Sequence, residues 1–426
     1  MKQSLIISCP ASSRSGYGDH SRDLIRSLMG MNKFDIKILD QRWGMCPRTE
    51  LPDDMKNLLL PPSNTLPYQP DVWIQVTVPN EFQPVGKYNI GITAGIETDR
   101  VHESWLEGCN KMDLIIVPST HSKIAFETTA YDRKDGNNNV VDKLELKKPI
   151  HVLFEGLDTS IFDKMPQEDL PATIINTLDE IPESFCFLTI GHWMAGDFGH
   201  DRKDIGSTVL AFIQTFKHKK DKPALILKTS SATFSIIDRE QVLQKIQQIR
   251  KSSGAHPKDV PNIYLLHGEL TPEEINGLYN HPKVKAMVSF THGEGFGRPL
   301  LEFSATGKPI LATNWSGHTD FLGTYTFKIP GTLKEVHSSV EDKMIIKGSK
   351  WFYGDHGYAS QLMAKTFKSY KNQLSISRKQ RKYVKDNFSM EQMNEEFTRI
   401  ITENVAAPVA LKLPKLKLPK LEKVNA

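Results

Sequence analysis

At 426 residues the chain is long enough for two or three domains of ~100–200 residues each. Its 39% apolar and 24% charged content is that of a globular protein, which excludes a disordered or fibrous chain, and no run reaches the ~18 consecutive apolar residues of a membrane helix. The formal charge of +4 equals that of residues 407–426 alone, where five lysines face one glutamate; the body before them is formally neutral and lacks the basic excess of a nucleic-acid binder.

SLIISC (4–9) reads as a first buried strand. A secretory leader would need a longer apolar core and a small-residue cleavage site. Cys9, Cys46, Cys109 and Cys186 are scattered without metal-ligand or redox spacing, a usage that fits a reducing compartment, the cytoplasm. The loop PASSRSGYG follows the first strand, then a helix whose Leu24, Ile25 and Leu28 share one face, then the strand FDIKILD (34–40). This is a βαβ unit, the signature of a parallel sheet. VWIQVTV (72–78), NIGITA (89–94), a helix at ESWLEGCNKM and DLIIVPS (113–119) continue the alternation, and HVLFEGLD (151–158) reads as its last strand. The polar, proline-containing segment TSIFDKMPQEDLP marks the expected boundary, so residues 1–160 form one half.

A second series spans 161–385. FCFLTIG (185–191), ALILKTS, NIYLLHG, VKAMVSF and PILATN read as strands, with helices at IGSTVLAFIQTF, EQVLQKIQQIRK, TPEEINGLYN and RPLLEFSATG between them. Thr271 and Glu274 have capping-box spacing, with Pro272 at the first helical position. From about 357 the pattern is helical, and residues 386–404 read as a helix that crosses back to the first half. The Lys/Leu/Pro segment 405–426 is expected to be extended and disordered, because recurrent proline forbids a regular helix.

The chemistry centres on THGEGFGRPLLE (291–302). It leaves the carboxyl end of VKAMVSF, where ligands bind in open α/β sheets. Gly293, Gly295 and Gly297 let backbone amides approach an anionic oxygen. Glycines alone suit a phosphate, but a phosphate does not explain Glu294 and Glu302. Carboxylates are good acceptors for sugar hydroxyls. Glu302 lies about one turn into the next helix, ~5 Å of rise from its start. The two acids can therefore hold two hydroxylated rings on either side of a bound anion, the layout of a nucleotide-diphosphate sugar: hexose, diphosphate, ribose. The bland alternative is a solvated loop acid and a helix-dipole acid.

EGFGRPLLE resembles the motif of retaining glycosyltransferases of the family 4 group, in which glutamate, glycine, aromatic and glycine precede a proline, and a second glutamate follows eight positions after the first. The continuation FSATGKPILATNWSGHTDFL, the glycine loop SGYGDHSRDL, the linker FEGLDTSIF and the closing RKYVKDNFSMEQMNEEF resemble that family in order, covering roughly residues 4–403. GIETDRVHESWLEGCNKMDLIIVPSTHSK resembles the acceptor-side segment of one bacterial and phage branch. The resemblance implies the GT-B fold: two Rossmann-like α/β domains facing a cleft, the first on the acceptor side, with C-terminal helices crossing back. It implies that Glu294 and the amides near Phe296 contact the transferred sugar and that Glu302 binds the ribose.

Arg202 and Lys203 match the cationic element that precedes a helix in that family and holds the diphosphate. Dipole logic favours acids at a helix start, so paired cations there point to a bound anion. The insertion of Gly196, Gly199 and His200 departs from the family and leaves open which cation meets which phosphate. Lys228, at a strand end, is a further phosphate candidate. His292 could contact the sugar, and Gly16 and Gly18 could let the first loop approach the donor. Glu97, His102 and His121 fall in the acceptor half; Trp193 and Trp315 read as packing. No metal is required, because the chain has no Asp-x-Asp clamp and two cations can replace one. No cofactor is expected, the nucleotide sugar being a co-substrate. The acceptor is a hydroxyl on a glycan, lipid, protein or modified nucleobase, with nucleic acid disfavoured by the neutral body. The rival readings are a nucleotide-sugar epimerase of the same fold and a non-catalytic nucleotide-binding module.

Overall fold

A computed structural model of the protein describes residues 2–61, 65–231 and 234–406, so all but the first two residues of the expected tail lie outside the described residues. The first half comprises β1 (Gln3–Cys9), α1 (Gly16–Met31), β2 (Phe34–Asp40), α2 (Asp53–Lys56), β3 (Val72–Val76), β4 (Tyr88–Ile92), α3 (Glu103–Lys111), β5 (Leu114–Val117) and α4 (Thr120–Thr128). β6 (Tyr131–Lys134) and β7 (Val140–Leu144) form a separate antiparallel hairpin, and β8 (Ile150–Val152) returns to the sheet. The strand order is β2-β1-β3-β4-β5-β8, every pair parallel.

Alternation along β1 builds both faces. Leu5 and Ile7 join Leu24 and Leu28 of α1 in one core. Ile6 points the other way, into a core with Trp105 and Phe126 of α3 and α4. Each fully buried Leu, Ile or Phe contributes ~1.5–3 kcal/mol.

The second half runs α5 (Ala172–Asp179), β9 (Cys186–Ile190), α6 (Ile205–Phe216), β10 (Ala224–Lys228), α7 (Ile236–Ser252), β11 (Ile263–Leu266), α8 (Pro272–Asn280), β12 (Val284–Ser289), α9 (Arg298–Ser304), β13 (Ile310–Thr313) and β14 (Phe327–Ile329). Its order is β11-β10-β9-β12-β13-β14, again wholly parallel. The capping box of Thr271 and Glu274 opens α8 with Pro272 at its start. The antiparallel hairpin β15 (Gly331–Glu335) and β16 (Lys350–Gly354) precedes α10 (His356–Lys368), α11 (Tyr370–Asn387) and α12 (Met390–Asn404).

Two differences from the sequence reading have simple causes. The expected last strand at 151–158 is only three residues long, because the chain there passes between cores: Leu153 packs under the first sheet, and Leu157 and Phe162 under the second. The helical run after 357 breaks at Ser369, whose φ of −121° and ψ of 34° leave the helical region. Helix α12 crosses back, burying Met393, Phe397, Ile400 and Ile401 in the first-sheet core. No helix among the described residues is long and apolar enough to cross a membrane.

Candidate active site

In the second sheet β9 lies between β10 and β12, so the connections after β9 and β12 leave in opposite directions from adjacent carboxyl ends. Such a switch point opens a crevice. The loop after β9 carries Arg202 and Lys203; the loop after β12 carries Glu294. The two are stitched together: the His292 amide donates to the Arg202 carbonyl at 2.8 Å, and Thr291 Oγ1 donates to the same carbonyl at 3.3 Å. Asp204, in the left-handed region at φ 47°, turns the chain into α6 immediately after the cation pair.

Glu294 bonds both cations. Its Oε2 lies 3.3 Å from Arg202 Nη1, and its Oε1 accepts from Lys203 Nζ. Gly191 leaves room for the Lys203 stem, since a Cβ there would sit 3.1 Å from Lys203 Cε. Burial alone would raise the Glu294 carboxyl, but Lys203 and Arg202 outweigh it and hold it at about 2. Arg202 Nη1 also lies 3.3 Å from Glu97 Oε1, so one guanidinium joins an acid of each half. These groups line a cleft of about 440 Å³ together with Gly16, Lys228, Phe296 and Arg298. A larger groove of about 790 Å³, between α6, α10 and the β15–β16 hairpin, contains none of Glu294, Arg202 and Lys203.

The packing of the two halves also demands glycines in the acid loop. A Cβ on Gly293 would lie 1.9 Å from the Glu97 carbonyl oxygen, and one on Gly295 would lie 2.0 Å from that of Ala94. Both admit the backbone of the other half, and Gly295 and Gly297 also line the cleft. Ser119 Oγ donates to the Gly295 carbonyl at 2.6 Å and reinforces that contact. Gly297 is required by its own backbone, at φ 104°, where it caps α9. Gly18 likewise faces protein: its Cβ would meet the Ser13 carbonyl oxygen at 2.0 Å. Of that loop's two glycines, Gly16 lines the cleft.

His292 also departs from expectation. It is fully buried, its ring nitrogens lie 2.7 Å from the Phe352 carbonyl and 3.1 Å from that of Gly199, and it stacks on Trp351 at 4.7 Å. It braces the loop from beneath and does not line the cleft. Lys228 does line it, donating to the Gly268 carbonyl at 2.6 Å, and burial with Arg14 nearby pulls its ammonium down to about 8. His102 caps α3, and His121 packs edge-on against Trp315 at 4.5 Å. Trp193 is buried in the core beside α6.

Glu302 meets Arg298, not the cleft wall. Its Oε1 lies 3.6 Å from Arg298 Nε, and Tyr279 OH donates to its Oε2 at 3.4 Å. Burial, only partly offset by Arg298, pushes its carboxyl up to about 7. Arg298 itself is a site residue that sequence reasoning missed, although it stands inside EGFGRPLLE. It reaches Asp23 of α1 at 2.9 Å and Glu155 at 3.5 Å, so it too bridges the halves. Tyr17, Trp43 and Glu155 on the first-half wall were missed as well. Their meeting depends on tertiary contacts across long sequence separations. Among the described residues, no group of three or more His, Cys, Asp or Glu is placed to hold a metal ion.

No protein-family model matches the chain, and no curated protein matches it. Solved structures do. The sucrose-phosphate synthase of Thermosynechococcus elongatus superposes with a TM-score of 0.63 at 12% identity, over 94% of this chain and 99% of that one. HepE of Anabaena in complex with UDP-glucose superposes with a TM-score of 0.59 at 12% identity, over 94% of this chain and 100% of that one. A glycosyltransferase of Rickettsia africae gives 0.59 at 14% identity, over 95% and 99%. The chain has the GT-B fold: two parallel-sheet Rossmann-like halves, with the C-terminal helix packed on the first.

Proposed function

We propose that this chain is a glycosyltransferase that moves a sugar from a nucleotide-diphosphate sugar to an acceptor hydroxyl, with retention of anomeric configuration. The observation that carries this reading is the contact of Glu294 with both Arg202 and Lys203 in the cleft between the halves. The complex of a GT-B neighbour with UDP-glucose supports the donor class.

In this reading Arg202 and Lys203 face the diphosphate and stabilise the charge that grows on it as the sugar departs. Lys228 adds a third cation to the same cleft. Glu294 accepts hydrogen bonds from the sugar hydroxyls; the ribose role that the family pattern gives Glu302 finds no support here, where Glu302 pairs with Arg298 at 3.6 Å and does not line the cleft. The C1–O bond to the diphosphate breaks, and a C1–O bond to the acceptor forms on the same face. The acceptor proton leaves on the diphosphate. No side chain becomes a covalent intermediate. The two acids of EGFGRPLLE and the cation pair match the family 4 pattern.

A thermal-shift screen against UDP-, GDP- and ADP-sugars tests the donor. A bound nucleotide at ~100 times its Kd adds ~2.7 kcal/mol of apparent stability, which reads as a rise in Tm for one base. Absence of a rise with every nucleotide sugar contradicts the proposal. Incubating that donor alone then separates transfer from epimerisation, because an epimerase converts it without an acceptor.

A further inference from the structure

We infer that the first-half wall of the cleft is an acceptor subsite for a pyranose ring, with Trp43 stacked on Tyr17 as its platform and Glu97 and Glu155 as its hydroxyl acceptors. This inference rests on the reading of the opposite wall as the donor site. Trp43 and Tyr17 both line the cleft, with ring centroids 4.0 Å apart and planes inclined by 30°. Trp43 stands in the segment between β2 and α2, on a turn closed by the Cys46 amide donating to its carbonyl at 3.0 Å, with Gly44 at φ 49°. Tyr17 is held firmly. Its hydroxyl lies 3.0 Å from Thr93 Oγ1 and accepts from the Ala94 amide at 3.1 Å, at the carboxyl end of β4. A half-buried indole on a loop, backed by a fixed phenol, offers a large flat face at low entropic cost.

A pyranose matches this wall in both of its parts. Its C–H face packs on an aromatic ring, and its hydroxyl edge needs acceptors. Glu97 and Glu155 supply them on the same cleft. Glu97 is also the acid joined to Arg202, so a hydroxyl bound there stands beside the donor's cation. A nucleobase would stack equally well, but its phosphodiester chain would face these carboxylates. Among the described residues, the first half lines the cleft with Gly16, Tyr17, Trp43, Ala94, Glu97 and Glu155 and adds no lysine or arginine to offset them.

The test is saturation-transfer NMR on the full chain, with UDP present and absent. The probes are the methyl α- and β-pyranosides of glucose, galactose, mannose and N-acetylglucosamine, and a short thymidine oligonucleotide. The inference predicts saturation at the ring C–H protons of at least one pyranoside. Trp43→Ala weakens that contact about tenfold, and Trp43→Phe largely restores it. UDP affinity, measured by separate titration, changes by less than about twofold in either variant. The inference is overturned if no pyranoside receives saturation, if Trp43→Ala leaves the contact unchanged, or if only the oligonucleotide binds. A Trp43-dependent pyranoside contact in a protein that binds none of UDP, GDP and ADP keeps the subsite and overturns the donor reading. The converse result keeps the donor reading and removes the subsite.

Discussion

Two ion clusters flank the segment EGFGRPLLE, and each joins the two halves. Around Arg202 and Lys203 two cations meet two acids, Glu97 and Glu294. Around Arg298 one cation meets three acids, Asp23, Glu155 and Glu302. The consequences are opposite. In the balanced cluster Glu294 is held ionised, at about 2. In the acid-rich cluster burial prevails, and Glu155 and Glu302 rise to about 7. Carboxylates eight residues apart on one loop and helix thus have different electrostatic tasks, set by how many cations each shares. The first cluster is suited to exchanging its acid contacts for a diphosphate. The second is suited to holding the halves together.

The largest effect that could break this contrast is on stability. Arg298→Met should cost ~3–5 kcal/mol, because it strands buried acids without their cation. The loss should grow between pH 6 and pH 8 as those acids ionise, which urea unfolding at the two pH values would measure. Arg202→Ala should cost much less, since Lys203 still bonds Glu294. Equal losses in the two variants would erase the distinction.

The next effect is on chemistry. Glu294→Ala and Arg202→Ala should each lower the proposed transfer, or the slow hydrolysis of the donor, by ~10²–10³-fold with the fold intact. A steady-state assay with unchanged circular dichroism checks this, and full activity in either variant would refute its role.

The clusters should also respond to pH with opposite signs. The folded-state carboxyl of Glu302 lies above its ordinary value of 4.5, so the folded chain holds a proton that the unfolded chain releases. Its contribution to stability therefore falls as pH rises from about 4.5 to about 7. Glu302→Gln should remove ~1–3 kcal/mol of that slope. The Glu294 carboxyl lies below its ordinary value, so its contribution is present above 4.5 and is lost as pH falls towards 2. Glu294→Gln should flatten the acid limb and leave the slope between about 4.5 and about 7 unchanged.

The smallest expected effect tests the seam between the halves. Gly295→Ala forces the Ala94 carbonyl away and should cost ~1–3 kcal/mol of stability, as overpacking does, with a smaller loss in UDP affinity because Gly295 also lines the cleft. Calorimetry of unfolding beside a UDP titration would resolve the two.

Much of this architecture is legible in the sequence. Wholly buried parallel strands such as Leu114–Val117 read as unbroken apolar runs, and the capping pair Thr271 and Glu274 is local chemistry. The hairpin strands Tyr131–Lys134 and Gly331–Glu335 are not legible, because their residues are almost all exposed and carry no apolar alternation. The acids and cations of the cleft stand out by type and spacing. What Gly293 and Gly295 are for does not, since their partners, Glu97 and Ala94, lie in the other half. The same holds for Arg298, whose partner Asp23 is 275 positions away. A motif reports which groups are present; the packing of the two halves on each other decides which acids each cation meets.

The central claim is that Arg202 and Lys203 form the diphosphate site beside Glu294. Calorimetric titration of UDP into the parent chain and into Arg202→Ala tests it most directly. The account predicts saturable binding to the parent and at least about tenfold weaker binding to the variant. UDP, GDP and ADP all failing to bind the parent, or the best of them binding both chains equally, would contradict it.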